Sequence, residues 1–149
     1  MFWKTGRPQE AGWQGLACDI VILDTTFLID LLRGNKAAID KIAEIEGKNE
    51  PVSTTAISVF EVWQGLPKKA SSLQVEKALE LLKSINILRL DFESALQGGE
   101  IQRELKSSGQ MIDPEDAMIA GIAKINNEKI LTRNAKHFEK IRSVKTEIY

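Results

Sequence analysis

The sequence predicts an α/β fold in which a small, mostly parallel sheet is flanked by helices. Short β-branched runs alternate with segments of helical spacing along the chain. The first run, Ile20-Val21-Ile22-Leu23, is apolar at every position, as a strand covered on both faces must be. It passes directly into a helical segment, which is the opening of a βαβ unit. At 149 residues, 43% of them apolar, the chain is the size of one globular domain.

The elements follow in order. Residues 1–19 hold three glycines, a proline and two tryptophans without regular spacing. They are expected to form an irregular leader, and they lack the apolar centre of a secretory signal. After the strand ending at Leu23, Thr25 to Leu32 places Phe27, Leu28, Leu31 and Leu32 at helical spacing, and Arg33-Gly34-Asn35 ends the helix. A second helix is expected from Lys36 to Glu46, with Ile39, Ile42, Ala43 and Ile45 inward. Pro51 to Thr54 reads as a short strand. Ser58 is the expected cap of a helix carrying Val59, Phe60, Val62 and Trp63, which Gly65-Leu66-Pro67 stops. Ser71 or Ser72 opens a helix to Leu82, and Ile85 to Leu90 is a strand. Asp91 caps a longer helix through Leu105 despite Gly98-Gly99, and Gly109 terminates it. Asp113-Pro114 starts a helix to Asn126, with Asp113 as cap and Pro114 in the first turn. Lys129 to Thr132 is a strand, Lys136 to Ile141 a short helix, and Thr146 to Tyr149 an edge strand.

Composition excludes several classes of protein. Lys plus Arg total 20 against 21 Asp plus Glu, so the chain is not built to coat nucleic acid through charge alone. One cysteine, Cys18, cannot form an internal disulfide, and a reducing cytoplasm is the expected compartment. No apolar run approaches the length of a membrane span. A single histidine, His137, gives too few donors for a zinc site of His and Cys, and it is expected to cap or pack near the last helix. No glycine-rich phosphate loop or nucleophile elbow is present.

In a parallel sheet, ligands bind beyond the C-terminal strand ends. Asp24 follows the first strand, Asn134 lies two residues past Thr132, Asp116 sits in the first turn of the preceding helix, and Glu61 falls between apolar neighbours. Each has a structural explanation: Asp24 as a helix cap, Asp116 as an acid in a positive first turn, Glu61 as a solvated charge, Asn134 as a turn residue. Taken together they suggest something else. Carboxylates gathered in one crevice repel one another unless a cation sits among them, and hard oxygen donors suit Mg²⁺ or Mn²⁺. A divalent ion so held supports phosphodiester hydrolysis. Trp63 and Leu66 are read as core or dimer surface. Lys68-Lys69, Arg133 and Lys136 are read as solvated charges that are also placed to meet a phosphate backbone.

Four segments in order resemble a known family: Ile22 to Leu32, Phe60 to Leu66, Ile112 to Ala123 and Ile130 to Phe138. They are similar to the PIN domain, and above all to VapC-type toxins of prokaryotic toxin-antitoxin pairs, over Ile20 to Tyr149. The resemblance implies a PIN-like three-layer sandwich and a metal-dependent endoribonuclease whose acids match Asp24, Glu61 and Asp116. It also implies Mg²⁺ or Mn²⁺, an RNA substrate, a homodimer, and a small cognate VapB-like antitoxin covering the groove. Asn134 stands where the family often has Asp. Its neutral oxygen leaves less charge for a second ion, so one firmly held metal is expected. On this pattern Asp24 and Asp116 bind the metal directly or through water, Glu61 orients or deprotonates the attacking water, and Asn134 positions water or phosphate. Thr25 and Thr132 would hold the carboxylates in place.

Two alternatives compete. A phosphotransfer domain of similar plan would need a second Asp two residues after Asp24, where Thr26 stands. A catalytically silent PIN-like module binding RNA or protein would also accommodate Asn134. The small residues Ala117, Ala120, Gly121 and Ala123 are expected to let their helix approach the sheet closely. Ala120→Leu should therefore overpack that contact and cost roughly 1–3 kcal/mol in thermal or denaturant unfolding; an unchanged midpoint would contradict the placement.

Overall fold

β1 (Val21–Leu23) is the centre on which the architecture is built. Its three residues are fully buried, and they pair in parallel with β2 (Val52–Thr55) on one side and β4 (Lys129–Thr132) on the other. β3 (Asn86–Leu88) extends the sheet beyond β2 and β5 (Thr146–Ile148) beyond β4, all pairings parallel, in the order β3-β2-β1-β4-β5. The expected mostly parallel sheet is thus wholly parallel among the described residues. The computed structural model describes residues 20–149; the leader expected over residues 1–19, with Cys18, lies outside them.

Among the described residues seven helices accompany the strands: α1 (Thr25–Leu32), α2 (Lys36–Gly47), α3 (Ala56–Gln64), α4 (Ser72–Ser84), α5 (Phe92–Ser107), α6 (Pro114–Asn126) and α7 (Ala135–Phe138). Strand alternation sorts the core into two layers. Val21, Leu23 and Leu131 face a cluster with Phe27, Leu28, Ile42, Ile45, Val62 and Leu82 from α1 to α4. Ile22 and Ile130 face Ile101, Leu105, Ile119, Ala120, Ala123 and Phe138 from α5 to α7. The result is a three-layer sandwich.

Local chemistry explains most boundaries. The Asn35 side chain accepts from Ala38 N at the start of α2, Ser71 and Gln74 form a reciprocal capping box on α4, and Asp91 accepts from Ser94 N on α5. The cap of α3 differs from expectation. It is Thr55, whose hydroxyl accepts from Ser58 N at 3.0 Å, so the helix begins at Ala56 and Ser58 is buried inside it. Asp24 and Asp113 occupy cap positions without making a side-chain cap bond, so helix-start chemistry does not account for either carboxylate. In α2, Ile39 and Ala43 turn outward while Ala38 takes the inward place. Trp63 is not core: it is 46% exposed, beside Phe60 at 57%.

Gly98 and Gly121 are where α5 and α6 cross. A Cβ on Gly121 would lie 2.3 Å from Ser94 O and 2.6 Å from Gly98 N, and one on Gly98 would lie 2.8 Å from Ala117 O. Gly121 therefore serves the helix–helix contact rather than the sheet, whereas Ala120 and Ala123 do pack over Ile22 and Ile130. A glycine at the crossing and one away from it consequently differ in sign. Gly121→Ala should destabilise by roughly 1–3 kcal/mol. Gly99→Ala meets nothing within 4 Å and should raise stability by up to about 1 kcal/mol through helix propensity. Urea unfolding of the two variants checks the contrast, and equal midpoints would refute the crossing.

Candidate active site

The strand order reverses direction at β1. The chain builds outward from β1 through β2 to β3, then returns to lay β4 on β1's other side. Ligands bind at such a switch point, outside the C-terminal strand ends. Asp24 leaves β1 there, and Thr132 closes β4 beside it. Thr132 Oγ1 donates to Asp24 Oδ2 at 2.7 Å and accepts from Asn134 N at 3.0 Å. Thr26 Oγ1 adds a longer donation to the same Asp24 oxygen, 3.2 Å. From α3, Glu61 accepts from Thr25 Oγ1 at 2.5 Å. The threonines at 25 and 132 thus hold two carboxylates, each by one hydroxyl.

Asp116, in the first turn of α6, is held from the other side. Its Oδ2 lies 2.6 Å from His137 Nδ1, and His137 Nε2 lies 2.7 Å from Asn134 Nδ2. His137 therefore does not cap or merely pack near α7; it bridges the third acid and the residue at the fourth position. Sequence reasoning missed this because an i, i+3 pair on a short terminal helix carries no signal of what lies opposite it.

The electrostatics tie the acids into one group. Burial pushes the Asp24 carboxyl above its ordinary value of 3.8, against the lowering effect of Thr132, the Thr25 N–H and Thr26. Burial also raises Glu61; Thr25 opposes this, and the charges of Asp24, Asp116 and Glu115 reinforce it. Asp116 is raised by burial and by Asp24 and Asp113, while His137 lowers it. Asp24, Glu61 and Asp116 thus feel one another's charge. Among the described residues the tightest set of three donors is Asp113, Asp116 and His137, whose ligand atoms fall within 4.8 Å. Asp24 and Glu61 lie outside that set. Carboxylates raised by burial and mutual repulsion are the donors a divalent cation favours.

A second polar group was not anticipated. Asp30, 2% exposed on the inner face of α1, pairs with Arg133 Nη1 at 2.9 Å and accepts from the Tyr149 hydroxyl at 2.7 Å. Tyr149 also meets Phe27 edge to face, ring centroids 4.6 Å apart. Burial and Asp30 both raise its phenol. The network fixes Arg133, between Thr132 and Asn134, at the edge of the site. Lys68, Lys69 and Lys136 are exposed.

This geometry defines a class: a parallel α/β protein with an acidic, cation-seeking crevice at its topological switch point. The chain belongs to the PIN domain family, which matches residues 21–144. Similar curated proteins include Ribonuclease VapC19 of Mycobacterium tuberculosis, 33% identical over 118 residues, covering 78% of this chain and 90% of that protein. Ribonuclease VapC1 of Methanocaldococcus jannaschii is 29% identical over 87% of this chain and 86% of its own. The tRNA(fMet)-specific endonuclease VapC of Shigella flexneri is 28% identical over 85% and 95%. Among solved structures, VapBC2 from Rickettsia felis bound to a promoter DNA fragment superimposes with TM-score 0.77 at 23% identity, covering 87% of this chain and 98% of that one. VapBC-1 from nontypeable Haemophilus influenzae gives 0.76 at 24%, covering 87% and 97%. At those identities the structures establish the fold. Family membership bears out the resemblance read from the sequence and implies a divalent metal.

The raised carboxyls make stability depend on pH with a definite sign. A carboxyl whose pKa is higher folded than unfolded supports the fold while protonated, and that support is lost as pH rises from its ordinary value, 3.8 for Asp24, through the raised one. In chelator, Asp24→Asn should match wild type in acid and exceed it in stability near neutral pH. Added Mn²⁺ at about 100 times its dissociation constant should stabilise wild type by about 2.7 kcal/mol and leave Asp24→Asn far less changed. Urea titrations at several pH values check both, and identical curves would refute the crowding.

Proposed function

We propose that this chain is a metal-dependent endoribonuclease that hydrolyses RNA phosphodiester bonds, the toxin of a VapBC-type pair. The observation that carries it is that Asp24, Glu61 and Asp116 lie near enough at the C-terminal end of β1 to act on one another's charge: burial raises all three, and the charge of Asp24 raises the other two. The names of its relatives as VapC ribonucleases support the same reading. Asp24 and Asp116 would hold one Mg²⁺ or Mn²⁺, directly or through water, and Glu61 completes the acidic shell. Once bound, the ion supplies polarisation of a phosphoryl oxygen and a lower pKa for an attacking water.

The protein's own groups do the rest. Thr132 and Thr26 both donate to Asp24 Oδ2 and so fix the rotamer of that carboxylate. Thr25 occupies Glu61 Oε2 and leaves Oε1 to accept the proton of a water, a task suited to a carboxyl whose basicity burial has increased. Arg133, already oriented by Asp30, meets the phosphate backbone at the edge of the site, and the exposed Lys68, Lys69 and Lys136 are further cations in a chain of net charge −1. A homodimer and a cognate VapB-like antitoxin are the proposed protein partners. Among the described residues no helix is long and apolar enough to cross a membrane, in keeping with a cytoplasmic site of action.

Incubation of the purified chain with total RNA and Mg²⁺ or Mn²⁺ tests this. Wild type should cleave, Asp24→Asn and Asp116→Asn should not, and Glu61→Gln should be slower by roughly 10²–10⁴-fold. Equal cleavage by all would assign the activity to a contaminant. No saturable ion binding in calorimetry would instead favour the silent PIN-like module that binds RNA or protein.

A further inference from the structure

The chain's one histidine sits between an acceptor and a donor. An ionised carboxylate can only accept, and an amide NH₂ can only donate. Asp116 Oδ2 lies 2.6 Å from Nδ1 and Asn134 Nδ2 lies 2.7 Å from Nε2, a geometry that fits a ring with its proton on Nδ1 and none on Nε2. Both nitrogens are thereby committed to protein groups. The bonds also form part of a longer chain: Asn134 N donates to Thr132 Oγ1, which donates to Asp24 Oδ2. The first and third acids are joined through Thr132, Asn134 and His137.

We propose that His137 is a positioning residue, a neutral Nδ1–H imidazole that aims the Asp116 carboxylate at the metal while Asn134 holds the ring in that tautomer. The inference rests on the metal-site reading above and assigns Asn134 a different task from an acid at the same position. An acid there would accept from Nε2 and call for a doubly protonated ring; the amide donates and keeps the ring neutral. The side chain of His137 is 44% exposed, so it contributes little to the core and its replacement leaves the fold intact. Partners that orient a metal ligand are typically worth about 10–100-fold in metal affinity.

Because there is a single histidine, histidine labelled with a nuclear-spin nitrogen isotope gives two ring-nitrogen resonances and no assignment problem. In tag-free, metal-free, full-length protein above the usual imidazole range, long-range proton–nitrogen correlations should show a protonated Nδ1 and a bare Nε2. A proton on Nε2, or on both nitrogens, overturns the proposal. Mn²⁺ titration by electron paramagnetic resonance then reads affinity. His137→Phe keeps the ring's bulk without the donor and should weaken Mn²⁺ binding by about 10–100-fold. His137→Asn restores a donor near the Nδ1 position and should recover most of it. Wild-type affinity in His137→Phe, or equal loss in both variants, refutes positioning through the hydrogen bond. Imidazole nitrogen hyperfine coupling to bound Mn²⁺ would make His137 a ligand and also refutes it. If wild type binds no Mn²⁺, the metal reading fails by itself, and the tautomer measurement still decides whether the His137 bridge exists.

Discussion

The crowding of buried carboxylates at the C-terminal end of β1 is the constraint on which the rest of this structure turns. Asp24 is 4% exposed and carries a charge that burial opposes. Removing an ion from water costs more than any single neutral hydrogen bond returns, so the site survives through several weak devices at once. Thr132, Thr26 and the Thr25 N–H donate to Asp24, Thr25 to Glu61, and His137 to Asp116. These donations reduce the penalty without removing it, since all three carboxyls stay above their ordinary values. The divalent cation that the family implies would supply what the neutral donors lack. The same residues therefore look like a stability defect in the free chain and a binding site once the ion is counted.

Placing those acids is a task for the whole sandwich. Asp24 is positioned by the central strand and Glu61 by α3, which Thr55 starts one turn earlier than Ser58 would have. Asp116 depends on α6, whose path over the sheet is set by the Gly98–Gly121 crossing with α5. Larger side chains there would push α6 outward and carry its first turn, with Asp116, away from β1. Two glycines that cost helix propensity in isolation are thus offset by the geometry of a carboxylate five residues before Gly121.

Much of this was legible in the sequence, and the limits are instructive. Strand positions and the α/β class followed from local pattern, and so did Asp24 as a candidate, because a buried parallel strand must be apolar throughout and its first polar successor falls at the ligand-binding edge. What failed depended on distant partners. Asp30 looks like an ordinary helix acid, yet its burial is set by Arg133 and Tyr149, over one hundred residues away. His137 showed only its helix, since the sequence does not reveal that Asp116 and Asn134 lie on its two sides. Gly98-Gly99 read as a weakness because spacing alone does not tell a packed glycine from an idle one. Ile39 and Ala43 were assigned inward by periodicity, but the helix is rotated so that Ala38 fills that place.

The substitution of an amide for an acid at position 134 is best understood as one half of a pair. A carboxylate there would add charge to an already overcrowded crevice and demand a second cation or an imidazolium to balance it. An amide adds no charge, and its NH₂ finds in His137 an acceptor that turns the proton of Nδ1 toward Asp116. The loss of one negative group is matched by better aim of another. The hydrogen-bond chain from Asp24 through Thr132, Asn134 and His137 to Asp116 then spans both strands at the switch point, so a displacement at either acid is resisted at the other.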